Sequence, residues 1–463
     1  MNKNYRNLFV GLDTPVPLLN GSSRTYINLD NAASTPSMAA VKKAVDDFLP
    51  YYSSVHRGTG FKSQVSTYAY DQSRHSVLDF ISANERNYTC IFGKNTTEAI
   101  NLLAHRFPFS AARNVVLISG MEHHSNDLPW RGVARVVHAG TTPDGRLDEA
   151  DFDTQLERYA DRLALVAITG ASNVTGLLNP VHRLAEKAHR VGAQIALDAA
   201  QLAPHRKIEM LDLDDPAHLD YVSISAHKMY APFGTGALVA RKDVFAKGEP
   251  IYRGGGEVEL VTLDQVVWSQ PPERDEAGSP NTVGAVALAA AILQLEQVGL
   301  AQVAAHEAEL TAYALTRINR LAGITVYGDA NPGSAAERLG VIPINVAGIS
   351  HYLAAAILGY EFGIGVRNGC FCAHPYLLHL MGVQEEQSQL VRQQIISHDR
   401  RFVPGMLRIS FGLYNTVEEI DALVEGLDCI VRGKYRGKYS QDMASGEFLP
   451  KGWQVRYEDF YQT

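Results

Sequence analysis

Ser223-Ile-Ser-Ala-His227-Lys228-Met-Tyr230-Ala-Pro232-Phe-Gly234-Thr-Gly236 is an apolar run that breaks into a Gly- and Pro-rich turn, with a lysine at the break. The run, from Leu219 to Ile224, reads as a buried strand. An ammonium at its end is partly desolvated, which disfavours the charged form and leaves a nucleophilic amine. Such an amine suits a Schiff base with an aldehyde cofactor. A plain surface lysine at a strand end fits the stretch equally well. The rest of the chain has to choose.

Outward from this stretch the chain alternates. Apolar runs at Tyr88–Phe92, Asn114–Ser119, Leu163–Thr169, Gln194–Asp198, Asp220–Ile224 and Gly236–Ala240 read as strands buried on both faces. Helical patterns such as Thr97–His105 and Val181–Val191 lie between them. Alternation of this kind predicts an α/β fold with a mostly parallel sheet and helices on both sides. Ligands then bind beyond the carboxyl ends of the strands. The conspicuous polar residues fall at those ends: Thr96 and Thr97, then Glu122-His123-His124, Asn173, Asp198 with Gln201, and Lys228.

Before the sheet, residues 1–35 form an irregular arm ending in Tyr26-Ile-Asn-Leu-Asp30-Asn31-Ala32-Ala33. Residues 36–295 form the large domain, and 296–432 a smaller α+β C-terminal domain. That smaller domain has strands near Val341–Val346 and Met406–Phe411 and helices at Tyr352–Phe362 and Val417–Val431. A segment rich in Gln, Glu and Arg, 384–405, reads as an exposed helix or a lid. Residues 433–463 read as a surface tail.

The chain has 463 residues, 46% hydrophobic and 20% charged, as expected of a soluble globular protein. A net charge of −8 argues against nucleic-acid binding. No apolar stretch approaches the ~20 residues of a membrane helix, and Met1 to Gly21 lacks a signal-peptide core. Four cysteines in so long a chain make no disulfide framework. A cytoplasmic protein without nucleic-acid or membrane partners is expected.

Asp198 can hold a pyridine nitrogen protonated, making the ring an electron sink, or can simply cap the following helix. Thr96 and Thr97 open a helix whose first amides suit a phosphate, although threonine at a cap is common. Ser225 and His227 offer further donors. His123 can stack on a ring and exchange protons near neutral pH, or be a satisfied core histidine. Arg408 can clamp a carboxylate bidentately or be an ordinary buried ion-pair residue. Cys372 can be a thiolate nucleophile, its pKa lowered by Arg367 and His374, or a small buried hydrophobe.

The runs Leu29-Asp-Asn-Ala-Ala-Ser, Val55-His-Arg-Gly, Thr96-Thr-Glu-Ala-Ile-Asn and Met121-Glu-His-His-Ser-Asn carry a resemblance. So do Ser172-Asn-Val-Thr-Gly, Asp198-Ala-Ala-Gln, Ser225-Ala-His-Lys-Met-Tyr-Ala-Pro, Glu276-Ala-Gly-Ser-Pro-Asn and Arg367-Asn-Gly-Cys-Phe-Cys. From about Asn28 to Gly433 the chain resembles class V aminotransferase-type pyridoxal phosphate enzymes of fold type I, nearest the cysteine desulfurase and selenocysteine lyase branch. The resemblance implies pyridoxal 5'-phosphate held by Lys228 as the Schiff-base lysine. Asp198 then pairs with the pyridine nitrogen, His123 stacks on the ring, and Asn173 and Gln201 address the phenolic oxygen. Thr96, Thr97, Ser225 and His227 bind phosphate, joined by Ser279 of a neighbouring subunit, so a homodimer is implied. Arg408, Arg367, Asn31, Ala32 and His56 fall to substrate binding, with Arg408 on the α-carboxylate. Cys372 becomes the nucleophile that takes sulfur from L-cysteine, leaving L-alanine and a persulfide for an acceptor protein.

Two features depart from ordinary desulfurases. Gly369-Cys-Phe-Cys372 resembles molybdenum cofactor sulfurases, and Cys370 either receives a persulfide or packs. The segment between Cys372 and Arg408 is also long. A metal at the Cys–His cluster is not expected, because no fourth ligand is evident. A C–S β-lyase, an amino-acid epimerase or an aminotransferase on the same cofactor is the alternative activity, and a non-catalytic sulfur-relay or scaffold protein is the alternative class.

Overall fold

A computed structural model describes residues 5–462; Met1 to Asn4 of the arm and Thr463 of the tail lie outside the described residues. Seven strands build the main sheet: β1 (Tyr88–Gly93), β2 (Val115–Ser119), β3 (Arg135–Ala139), β4 (Leu163–Thr169), β5 (Gln194–Asp198), β6 (Tyr221–Ser225) and β7 (Gly236–Arg241). Their order is β1-β7-β6-β5-β4-β2-β3. The pairs from β2 to β6 are parallel, and β7 runs antiparallel to both of its neighbours. Every residue of β2, β4 and β6 is buried, which is why these strands are written as unbroken apolar runs. The edge strand β3 escaped the sequence reading: Arg135 and His138 are exposed on it, so it carries no such run.

Register aligns the working ends. Thr169 lies opposite Asp198, Asp198 opposite Ser223, and Gly236 opposite both Ser225 and Gly93. The helix Thr96–Arg106 starts at the same edge and comes so close that a Cβ on Gly236 would lie 2.5 Å from Asn95 Cα. Only glycine fits there.

The helices are α1 (Ala39–Phe48), α2 (Phe61–Phe80), α3 (Thr96–Arg106), α4 (Glu149–Arg158), α5 (Val181–Arg190), α6 (Thr282–Val298) and α7 (Leu300–Ile318). Helices α6 and α7 meet at Gly299 with a bend of 75°, and no single helix among the described residues is long and apolar enough to cross a membrane. Beyond them a second, antiparallel sheet has the order β10-β11-β13-β12. Its strands are β10 (Ile324–Val326), β11 (Val341–Val346), β12 (Arg367–Gly369) and β13 (Met406–Ser410). The intervening β8 (Val258–Val261) and β9 (Val266–Trp268) form a separate hairpin.

Around the second sheet pack α8 (His351–Phe362) and α11 (Val417–Val431), which share a core with α7. The short α9 (His374–Leu380) packs instead on the main core, and α10 (Glu385–Ile396) follows it. The long segment therefore contains one helix, Glu385–Ile396, which buries none of its described side chains. The arm joins the second sheet: Ile27 and Asn28 pair with Ile364 and Gly365, and Asp30 bridges to Ser410. The tail folds into a hairpin, β14 (Tyr439–Gln441) with β15 (Phe448–Pro450), and Tyr439 Oη donates to Glu361 at 2.9 Å.

Candidate active site

A cavity of about 240 Å³ opens where the carboxyl ends of the parallel strands meet the second sheet. Thr96, Thr97, His123, Asn173, Asp198, Gln201, Ser225, His227, Lys228, Arg367, Cys372, Arg408 and Ala32 all line it. Strand ends widely separated in sequence thus converge, as the alternation predicted. Asn31, His56 and Ser279 do not reach this cavity. Asn31 is buried beside it, its amide donating to Ser410 O at 3.0 Å and its oxygen accepting from Tyr414 Oη at 2.8 Å. His56 and Ser279 line a second cavity of about 620 Å³ with Arg57, Gly255 and Gly278.

Lys228 follows β6 in a single tight turn. Desolvation draws its pKa down to about 8, against the attraction of Asp198, while Arg408 reinforces the lowering. Asp198 is buried at the end of β5. One of its oxygens accepts the Ala200 N–H at 2.9 Å, and burial raises its pKa against that bond and Lys228. Gln201 donates to Ala32 O at 2.8 Å, and Asn173 Nδ2 to Phe371 O at 2.7 Å. Both amides therefore hold the cavity wall in shape as well as lining it.

His123 departs from the sequence expectation. Its Nδ1 accepts the Ser125 backbone N–H at 3.1 Å, so Nε2 carries the proton of the neutral ring. Desolvation, with the positive charges of Lys228 and Arg408 and the neighbouring His124, lowers its pKa to about 3. The ring is neutral across the physiological range and does not titrate near pH 7. His374 is also held neutral by burial and by His124, on which it stacks at 5.1 Å, so it supplies no charge to Cys372. The cations of the cavity are Arg367, Arg408 and Lys228.

At the other end, hydroxyls gather around the start of α3. Asn95 caps the helix by accepting Glu98 N–H at 3.1 Å; Ser225 Oγ accepts Thr96 N–H at 2.8 Å. Thr97 and Ser125 hydroxyls meet at 2.7 Å. Desolvation, then Lys228, lowers His227 to about 4, leaving it a neutral donor. Asp198 is the one carboxylate among the described lining residues, against three cations. A helix N-terminus, hydroxyl donors and net positive charge fit a phosphate; the nucleophilic amine and buried carboxylate fit an aromatic aldehyde with a basic ring nitrogen. The donor set suits pyridoxal phosphate.

Arg408, on β13, is 3% exposed and already paired. It donates to Asp30 Oδ1 at 3.0 Å and to Asn173 O at 3.0 Å, lies 4.9 Å over the Phe371 ring, and keeps Nε buried without a partner. Asp30, Ser125 and Phe371 were missed in the sequence. Asp30 and Ser125 stand inside quoted motifs, but nothing local in the sequence announces their partners. Cys372 is exposed, on a turn between β12 and α9, and its carbonyl accepts His124 N–H at 2.7 Å.

Residues 27–423 match the family described as aminotransferase class-V. A probable cysteine desulfurase of Halalkalibacterium halodurans is 36% identical over 431 residues, 91% of this chain and 96% of that protein. The cysteine desulfurase of Haloferax volcanii is 32% identical over 90% of this chain and 93% of its own length. An apo cysteine desulfurase structure from Thermococcus onnurineus, 32% identical, superposes with a TM-score of 0.75 over 88% of this chain and 95% of that one. A match of that extent, on a sheet of this order with a lysine, a carboxylate and a helix start at one edge, places the chain in the class-V aminotransferase family.

Proposed function

We propose that this chain is a cysteine desulfurase that uses pyridoxal phosphate. The observation that carries this is the opening of Lys228, Asp198 and the exposed Cys372 onto one cavity. Lys228, Asp198, His123 and the hydroxyl group at the start of α3 would hold the cofactor. When bound, it supplies an electron sink conjugated to the substrate amine.

The protein's own groups do the rest. Near pH 8 the Lys228 amine passes between its neutral and charged forms, so Nζ can accept and return a substrate proton. Asp198 would hold the cofactor's ring nitrogen protonated. His123 Nε2–H donates without carrying charge. Arg408, helped by Arg367, receives the substrate carboxylate by exchange with Asp30. Cys372 attacks the sulfur of L-cysteine: a S–S bond forms, the substrate C–S bond breaks, and its electron pair goes to carbon, which takes a proton to give L-alanine. The sulfur then passes to an acceptor protein. We further propose a homodimer in which the cavity holding Ser279 and His56 faces the partner's site. The neighbouring hairpin exposes Leu260, Val261, Leu263, Val266 and Val267 beside it.

Purified enzyme given L-cysteine and a reductant should yield alanine and sulfide, and Cys372→Ser should abolish both. Pyruvate formed equally by both proteins would instead establish a β-lyase.

A further inference from the structure

The turn that carries Cys372 carries a second thiol. Ala373 N–H donates to Cys370 O at 3.0 Å, closing a four-residue turn whose central residues, Phe371 and Cys372, have φ of 53° and 56°. Two successive left-handed residues ordinarily call for Asn or Gly. Side chains tolerate this strain only where the surroundings impose it. Here they do: Asn173 binds the Phe371 carbonyl, Arg408 covers the Phe371 ring, and His124 N–H binds the Cys372 carbonyl. The two cysteines therefore ride one fixed element. Cys372 is exposed, while Cys370 is partly buried against the main core with its thiol against the Cys372 backbone N–H. The other two cysteines are remote: Cys90 lies inside β1, and Cys429 on α11.

Resting on the desulfurase reading above, we propose that Cys370 is a second sulfur-bearing residue, taking the outer sulfur of a Cys372 persulfide and sheltering it while Cys372 turns over again. The Cys370 thiolate attacks the outer sulfur. A new S–S bond forms to Cys370, the bond between outer and inner sulfur breaks, and its electron pair leaves on Cys372. The proton lost by Cys370 ends on the Cys372 thiolate. A thiol and a persulfide give a persulfide and a thiol, so no oxidant or reductant enters. Burial raises the Cys370 pKa, while Arg400 opposes it, so the exchange quickens as pH rises.

Holoenzyme is given excess L-cysteine without reductant, alkylated, digested, and the peptide containing both cysteines is fragmented by mass spectrometry. Wild type should carry one added sulfur on each cysteine. Cys370→Ser should carry one, on Cys372, and its burst of alanine should fall two-fold. Added sulfur on Cys372 alone in wild type, or a Cys370–Cys372 disulfide with free sulfide, overturns the proposal and leaves desulfuration intact. Absence of alanine and of added sulfur on either residue overturns both.

Discussion

Lys228 owes its reactivity to two opposed influences, burial and a carboxylate. Desolvation brings the amine down to about 8, and Asp198 keeps it from falling further. Capture of pyridoxal phosphate by cofactor-free protein, followed by absorbance, should therefore rise with pH around a midpoint near 8. In Asp198→Asn that midpoint should move down, because the opposing charge is gone; a midpoint above 10 in wild type would mean a solvated lysine. The place of this residue at a strand end was legible in the sequence because a buried parallel strand is an unbroken apolar run and its end is easily marked. The pairing of Arg408 with Asp30 was not, since it joins residues far apart in sequence. The neutrality of His123 was equally hidden, as it depends first on burial and then on charges that include Lys228 and Arg408 from other elements.

Among the elements, α9 and α10 make the clearest contrast. Leu377 in α9 is 0% exposed, whereas Leu390 and Ile396 in α10 are 60% and 67% exposed. Leu377→Ala should cost about 2–5 kcal/mol in urea unfolding. Leu390→Ser and Ile396→Ser should each change stability by less than about 0.5 kcal/mol. A large loss from either serine variant would show that α10 packs on something. Sequence patterning left this segment open between helix and lid because its few apolar residues, among them Leu390 and Ile396, are exposed and mark no buried stripe. β3 was hidden by its exposed polar positions, and the hairpin of β8 and β9 by its short strands. The left-handed turn at Phe371 and Cys372 lay further out of reach, since its conformation is imposed by Asn173, Arg408 and His124.

At the scale of the molecule, the end of the sheet opposite the cavity holds a charge cluster. Asp220 is fully buried and accepts from His189 Nε2 at 3.0 Å, His218 Nε2 at 3.3 Å and Arg241 at 3.0 Å. The Nδ1 atoms of both histidines face backbone carbonyls, at 2.7 Å each, so the His189 ring meets acceptors on both sides. Despite desolvation, the Asp220 bond, Pro216 O and the Asp220 charge raise the His189 pKa, while Arg241 opposes them. A raised histidine stabilises the fold fully below its unfolded value near 6.5 and loses that contribution as pH climbs through the folded value. The melting temperature should thus drop as pH rises above about 6.5, and His189→Gln should flatten that slope. An unchanged slope would place the titration elsewhere. Assembly is checked separately: the chain should sediment as a dimer, and Leu263→Glu, at the fully exposed tip of the hairpin, should shift it toward monomer. A wild-type monomer at working concentration would reject the shared site.

The Asp30–Arg408 pair has a mechanical meaning as well as an electrostatic one. Arg408 sits on the second sheet, Asp30 on the arm and Asn173 on the main domain, so one guanidinium fastens three parts of the molecule. A substrate carboxylate that takes the place of Asp30 unfastens one of them. Under the proposed function, binding energy would be divided between holding the amino acid and parting Asp30 from Arg408, while the pairing of Ile27 and Asn28 with Ile364 and Gly365 keeps the arm in place.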